Sequence, residues 1–408
     1  MNILVLNAGS SSQKSCLYHL IDPLPVTPPE PLWEASIDWT LQQGMAGIKI
    51  KTHTGAIVRE EVPAADRAQI IKRLFTSLWE GETQVIQHPG EIGMVGHRVV
   101  HGGSEYQQPT RITPAVKEAI DRLAVFAPSH NPVNLEGIEI TEQILGSEIP
   151  QVAVFDTAFH RQMPLAATVY PIPYEYFEQG IRRYGFHGIS HEYCAHRAAT
   201  LLGRDLASLR LIICHLGNGC SLSAVKGGVS VDTTMGFTPL EGLMMGSRSG
   251  SIDPGILIHW LRQGKYSVDD LDRMLNKASG LKGVSGVGSD LRQIEGAVAK
   301  GDPQAILAVD VFIHRLRSCM GSMLASLGGL DALVFTAGIG ENSPEVRSTA
   351  CEGFAFLGLQ VDPAKNGRSS EDQDIATPDS AVRVLVIHTQ EDWAIAQACW
   401  KLMNTTSA

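Results

Sequence analysis

Residues 4–18 read LVLNAGSSSQKSCLY, and residues 211–225 read LIICHLGNGCSLSAV. Each is an apolar strand, a turn of Gly, Asn and Ser, and a second strand, which is the pattern of a β-hairpin. The identity between the two is weak. Two readings stand: two unrelated hairpins, or a duplicated α/β core with a nucleotide between the halves. Strands and helices alternate along the rest of the chain, which makes the class α/β. Further strands are expected at 93–100, 151–155, 229–232, 332–336 and 382–387. Helices are expected at 65–78, at 114–126, at 302–327 with Pro303 in its first turn and Gly328-Gly329 at its end, and after Asp392. The cluster Pro23, Pro25, Pro28, Pro29 and Pro31 excludes a helix or central strand and predicts an exposed loop. Residues 337–342, AGIGEN, read as a loop.

The chain has 408 residues, enough for two or three domains with cores of their own. Hydrophobic residues are 44% and charged residues 19%, which excludes disorder. There are 33 Lys and Arg against 43 Asp and Glu, a net charge of −10. That balance argues against nucleic acid as a partner. Any anionic ligand therefore requires cations concentrated at one site. No run of 18 apolar residues predicts a membrane span, and the N-terminus has no basic leader. The seven cysteines are scattered and form no C-x-x-C pair, which fits free thiols in the cytoplasm.

Four apolar strands end in glycine-rich or polar loops, after Leu6, Phe155, Leu216 and Phe335. Ligands of α/β sheets sit at such strand ends, and glycine lets backbone amides approach an anion. No G-x-x-x-x-G-K-[ST] loop, no complete G-x-G-x-x-G and no protein-kinase motif set is present. What remains is a hairpin with Ser10, Ser12 and Lys14 at alternate positions. In an extended stretch these share one face and suit a terminal phosphate.

Arg98 in HRVVH and Arg248 in GSRSG each stand among small residues or at a glycine-rich loop. Both are placed for two-pronged contact with a carboxylate or phosphate, although a merely ion-paired arginine would read the same. His97 and His101, like His187 and His191, are spaced i, i+4. That spacing suits zinc on a helix, but Val99-Val100 argues for a strand and the glutamate of H-E-x-x-H is absent, so no metal is assigned to them.

With these features in place, LVLNAGSSSQK at 4–14 and GHRVVHGG at 96–103 resemble the signature motifs of the acetate kinase family. FDTAFH at 155–160, RYGFHGISH at 183–191, HLGNGCS at 215–221, DTTMGFTPLEGLMMGSRSGSIDPG at 232–255, GIGEN at 338–342 and TQED at 389–392 agree with it in order, over nearly the whole chain. The resemblance implies two duplicated ribonuclease H-like (actin-like ATPase) domains with an active-site cleft between them. The domains are expected at 1–155 plus 391–408 and at 156–390. It implies Mg²⁺-dependent transfer of the ATP γ-phosphate to acetate, giving acetyl phosphate and ADP, with Mn²⁺ as a substitute metal, in a homodimer.

The same resemblance assigns residues. Asp156, His187 and Arg248 stand at the reacting centre, with Asp156 acting through Mg²⁺ or by orienting groups rather than as a base. A carboxylic acid substrate is already ionised at pH 7 and has no proton to lose. Arg98, Val100, Ser129, His130, Phe186 and Pro239 meet the substrate. Ser10, Ser12, Lys14, His215, Leu216, Gly217, Asn218, Gly219, Asp290, Leu291, Arg292, Gly338, Ile339, Gly340, Glu341 and Asn342 line the ATP. Asn7 and Glu391 stand at the Mg²⁺ positions. Ser129 replaces an expected leucine and leaves room for a longer acid, so a propionate or butyrate kinase is the alternative. A non-catalytic regulator of the same fold would lack Arg98, Asp156 or Arg248, and all three are present.

Overall fold

The computed structural model describes residues 1–9, 12–42, 44–368 and 371–405. The chain forms two compact units, Met1–Ala158 with Gln390–Ala408, and Phe159–Thr389.

The first unit is built on an eight-stranded sheet. Its strands are β1 (Asn2–Ala8), β2 (Ser12–His19), β3 (Trp33–Gln42), β4 (Met45–Thr52), β5 (Ile57–Pro63), β6 (Ile92–Val99), β7 (Thr110–Arg111) and β8 (Gln151–Phe155). The order across the sheet is β5-β4-β3-β2-β1-β6-β8-β7. β1 and β2 are the expected hairpin, paired antiparallel from Asn2 against His19 to Ala8 against Gln13. β1, β6 and β8 run parallel, so their C-terminal ends lie side by side. β8 is buried at all five residues, as a central parallel strand covered on both faces should be. Leu4, Leu6, Leu17, Trp33 and Ile37 pack with Phe75 and Ile140 of the helices Arg67–Thr76 and Asn131–Leu145. The C-terminal helix Glu391–Thr405 packs on β1 and β6. Gly96 permits this approach, because a Cβ there would lie 2.6 Å from both Cys399 Sγ and Ile395 Cγ2. The proline-rich stretch 21–31 carries no helix or strand, as expected. The β3–β5 meander fills a stretch for which the sequence raised no expectation.

The second unit holds a six-stranded sheet of β9 (Arg210–Leu216), β10 (Cys220–Lys226), β11 (Val229–Thr233), β12 (Ala332–Thr336), β13 (Gln373–Asp374) and β14 (Arg383–Val386). Its order is β11-β10-β9-β12-β14-β13. β9 and β10 form the second hairpin, and β9, β12 and β14 run parallel. The core orders β3-β2-β1-β6-β8 and β11-β10-β9-β12-β14 match in sequence order and in strand direction. This decides between the two readings of the hairpins: the core is duplicated. The helix Gly188–Leu202 packs Cys194, Ala195 and Ala198 against Leu211, Ile213, Val334 and Leu385. The helix Pro303–Leu327 has Asp302 accepting from the backbone N–H of Gln304 and Ala305 at its start, and Gly328 at φ 66° at its end. Both ends satisfy groups that a helix otherwise leaves unpaired.

One expectation is corrected. Residues Ala337–Asn342 form a short helix and not a loop. Two glycines in six residues hide the helix at the sequence level. Its ends are satisfied by side chains: its own Glu341 Oε1 accepts from the Ala337 N–H at 2.8 Å, and buried Arg347 donates to the Gly340 and Glu341 carbonyls at 2.8 Å each.

Candidate active site

The parallel strands of the first unit bring three predicted residues together. Asn7 lies near the end of β1, Arg98 near the end of β6, and Asp156 directly after β8. Register pairs Arg98 with Val154, and the Asp156 N–H donates to the Val99 carbonyl at 3.0 Å. The Arg98 guanidinium grips Asp156 two-pronged, Nε at 3.1 and 3.0 Å and Nη2 at 2.6 Å. Arg98 Nη1 donates to Asn7 Oδ1 at 3.1 Å. Asn7 Nδ2 in turn donates to Glu391 at 2.9 Å and to Asp392 at 3.1 Å. Both acids stand in the first turn of the C-terminal helix, where a negative charge meets the positive end of the helix dipole.

Asp156 is 1% exposed. Burial pushes its carboxyl above the usual carboxylate value, Arg98 pulls it back, and Glu391 adds to the push. Burial also raises Asp392, with Glu391 adding and Lys14 opposing. Arg98 opposes the negative charge at Asp156 and Lys14 that at Asp392. Lys14 and Ser12 are exposed at alternate positions of β2, while Gln13 between them is buried, as the one-face argument requires. Ser10 lies outside the described residues.

The groups around Asn7 are the hard oxygens of acidic side chains, so the cluster fits Mg²⁺. Among the described residues no group of three His, Cys, Asp or Glu is placed to hold a metal directly.

Val100 is buried, and its N–H donates to Asn134 Oδ1 at 3.1 Å. Asn134 also donates to the Ala8 carbonyl at 3.1 Å, which ties the end of β1 to the end of β6. Asn131 accepts from the His101 N–H and donates to the His101 and Ile120 carbonyls. Ser129 is exposed and His130 half-buried on the turn before the helix Asn131–Leu145. His97 is buried against Gln151 at 2.6 Å, and burial lowers its pKa to about 4. His101 is likewise pushed down to about 4. Both rings are buried in the first unit.

In the second unit, His187 precedes the helix Gly188–Leu202 in a left-handed conformation, φ 57°. A non-glycine residue there is strained and points to a functional constraint. Its ring stacks on His215 with centroids 4.1 Å apart. Gly217–Gly219 is the tight turn between β9 and β10, closed by Gly217 N–H to the Gly219 carbonyl at 3.0 Å. Gly246 N–H donates to the Asn218 carbonyl at 3.1 Å, which ties the Arg248 loop to this turn. Arg248 Nη1 donates to the Pro239 carbonyl at 2.8 Å. A Cβ on Gly219 would meet His187 Nε2 at 3.4 Å and Arg248 Nη1 at 3.5 Å, so these two nitrogens converge over one glycine. Phe186 is buried, and its carbonyl is 3.0 Å from His160 Nε2.

The remaining ATP candidates lie in the same unit and divide by role. Asp290 caps the helix Leu291–Val298 and holds Arg292 at 2.6 Å, and this contact lowers the Asp290 pKa. Leu291 is buried. Glu341 Oε1 is engaged by the N–H groups of Ala337 and Thr389. Gly338 has open space where a Cβ would stand, while Gly340 lies against Phe335 and the Cys214 carbonyl. Asn342 Nδ2 donates to the Gly338 carbonyl at 2.9 Å. Arg347, fully buried, supports this segment and also holds Asn366. Arg347→Met would strip partners from the Gly340, Glu341 and Asn366 carbonyls. It is expected to cost at least about 2 kcal/mol in urea unfolding and to raise the KM for ATP more than that for acetate. An unchanged urea midpoint would refute the support role.

Asp392, Asn131, Asn134 and Arg347 are site or support residues that sequence reasoning missed. Asp392 lies in the TQED motif at 389–392, next to Glu391.

The chain matches the acetokinase family model over residues 2–397. It is 64% identical over 407 residues to the acetate kinase of Cyanothece sp. (strain PCC 7425), covering 100% of both chains. It is also 64% identical to the acetate kinase of Gloeobacter violaceus, covering 98% of this chain and 99% of that one. Among solved structures it is similar to Porphyromonas gingivalis acetate kinase, with TM-score 0.89 and 37% identity over 98% of this chain and 99% of that one. It is similar too to a propionate kinase from Francisella tularensis, with TM-score 0.88 and 39% identity over 97% and 98%. With the duplicated plan of the sheets, the strand-end cluster and these matches together, the chain belongs to the acetokinase family.

Proposed function

We propose that this chain is an acetate kinase, transferring the γ-phosphate of ATP directly and in line to acetate, reversibly, to give acetyl phosphate and ADP. The observation that carries the reading is the Arg98–Asp156–Asn7 cluster at the ends of three parallel strands. Arg98 supplies a planar cation for the acetate carboxylate, and Asp156 holds its fork in one orientation. Val100, Ser129, Phe186 and Pro239 make the acyl contacts, with His130 in support. His187 and Arg248 supply the donors for the charge that spreads over the transferring phosphoryl group. Ser10, Ser12 and Lys14 meet the terminal phosphate. The turn Gly217–Gly219, Asp290–Arg292 and Gly338–Asn342 take the rest of the nucleotide.

Asn7 and Glu391, with Asp392 and Asp156 nearby, would hold Mg²⁺, which when bound offsets the negative charge of the phosphates. Asp156 orients Arg98 and balances charge. It removes no proton, because acetate arrives ionised.

ATP and ADP are co-substrates of the family. Among the described residues no helix is long and apolar enough to cross a membrane. All seven cysteines are free, which suits a cytoplasmic protein. A homodimer belongs to the same reading: the helix Pro254–Arg262 exposes Ile256, Ile258 and Leu261.

The propionate or butyrate alternative is not favoured, since curated relatives at 60–64% identity are acetate kinases. One methylene is worth only about 1–3 kcal/mol. A hydroxamate-trapping assay should therefore show kcat/KM for acetate above that for propionate by about 10-fold or more, with butyrate lower still. Equal or higher values for propionate would overturn the acetate assignment.

A further inference from the structure

Ser221 is fully buried, and its hydroxyl sits between two imidazoles. Oγ lies 2.9 Å from His187 Nδ1 and 2.7 Å from His191 Nε2. The histidines are one helical turn apart, and the His191 N–H donates to the His187 carbonyl at 2.9 Å. His191 is also fully buried, and its Nδ1 has no hydrogen-bond partner. Burial, reinforced by His160 and His215, holds His191 well below the usual histidine pKa. It is therefore neutral and carries one N–H.

A hydroxyl offers one hydrogen and two lone pairs. If Ser221 gave its hydrogen to His191 Nε2, the His191 proton would sit on Nδ1, a buried N–H with no acceptor. If both rings donated to Ser221, its own O–H would be buried with nothing to receive it. The remaining arrangement leaves only a lone pair unused at His191 Nδ1. Buried donors without acceptors are rarer than under-used acceptors.

We propose that Ser221 and His191 are positioning residues that set the His187 tautomer. His191 Nε2–H donates to Ser221 Oγ, Ser221 O–H donates to His187 Nδ1, and the His187 proton therefore stands on Nε2. In imidazoles the proton on one nitrogen is set by the bond the other makes. The relay aims an N–H, and not a lone pair, over Gly219 beside Arg248 Nη1. Two donors then converge where one small residue leaves room. A lone pair there would repel a phosphoryl oxygen. The ring plane is held separately by the stack on His215, whose Nδ1 is 2.9 Å from Ser190 Oγ. The i, i+4 histidine pair that resembles a zinc site is joined through a serine instead. The inference rests on the reading of His187 as a phosphoryl donor, but its geometry can be tested apart from it.

The test is a long-range ¹H–¹⁵N spectrum of the full-length protein with labelled histidine, His187 being assigned with His187→Gln. The wild type should show His187 and His191 both protonated at Nε2. Ser221→Ala should convert His187 to a mixture of tautomers and lower kcat about 10-fold, with both KM values within about 2-fold. Ser221→Thr, which keeps the hydroxyl, should restore the single tautomer. A wild-type His187 protonated at Nδ1 overturns the relay, and that spectrum decides the matter even if the variants fold poorly. So does a Ser221→Ala protein with tautomer and kcat unchanged. The expected wild-type tautomer together with near-normal turnover in His187→Gln would uphold the relay while removing His187 from the phosphoryl reading.

Discussion

Arg98→Met is expected to cost about 3–5 kcal/mol of folding stability at pH 8 and distinctly less at pH 5. The physical reason lies in the pair it breaks. Asp156 is buried, and Arg98 is its two-pronged partner. Removing the guanidinium leaves a carboxylate in a low-dielectric site with no counter-charge. The sign with pH follows from the direction of the Asp156 shift. Its folded pKa is already raised by burial, and without Arg98 it rises further. A carboxyl with a raised folded pKa lends stability below the unfolded value of about 4, and that stability is lost as pH rises through the folded value. The difference between variant and wild type should therefore widen between pH 5 and pH 8. Urea unfolding at both pH values measures it. Adding Asp156→Asn to Arg98→Met should recover much of the loss, because the unpaired charge is gone. An equal loss at the two pH values would show that burial of Asp156 is not the cause. Either substitution should also abolish most acetate turnover, since the carboxylate loses its oriented fork.

The second large effect concerns rate rather than stability. Arg248→Ala is expected to lower kcat about 10³-fold or more, with KM for ATP and acetate changed only a fewfold. Arg248 is half-buried; its Nη1 donates to the Pro239 carbonyl and lies 3.7 Å from Met245 Sδ. An interaction made mainly in the transition state lowers kcat without a matching change in KM. Arg248→Lys should recover only part of the rate, because one ammonium cannot hold the Pro239 carbonyl and present a second planar donor. Steady-state kinetics of the two variants decide this. Near-wild-type turnover in Arg248→Ala would remove it from the transition state.

Some of the fold is legible because burial is written into residue type. β8 and β12 are runs of five buried residues, QVAVF and ALVFT, and parallel strands covered on both faces read as such. The helix Pro303–Leu327 announces both ends through Asp302, Pro303 and Gly328. The β3–β5 meander raised no expectation. β5, IVREEVP, is an edge strand that alternates exposed with half-buried residues, with Arg59 and Glu61 on the exposed face and Glu60 beside Val58 and Val62 on the other. The helix Ala337–Asn342 was misread because its stability comes from Glu341 and Arg347 rather than from propensity.

The sequence by itself determined the α/β class, the two hairpins, the absence of a P-loop and the residue types that handle anions. Those are properties of local runs and spacings. Only the tertiary structure decided that the two hairpins head matching sheets, because strand order is a matter of long-range pairing. It also decided that Arg98 is committed to Asp156, that Asp392 joins Glu391 in meeting Asn7, and that one serine joins two histidines. Asn7 and Glu391 are 384 residues apart in the chain, and no local pattern records which of many polar side chains will meet across such a distance. Burial sets those partners, since a buried polar group must find one wherever the fold supplies it.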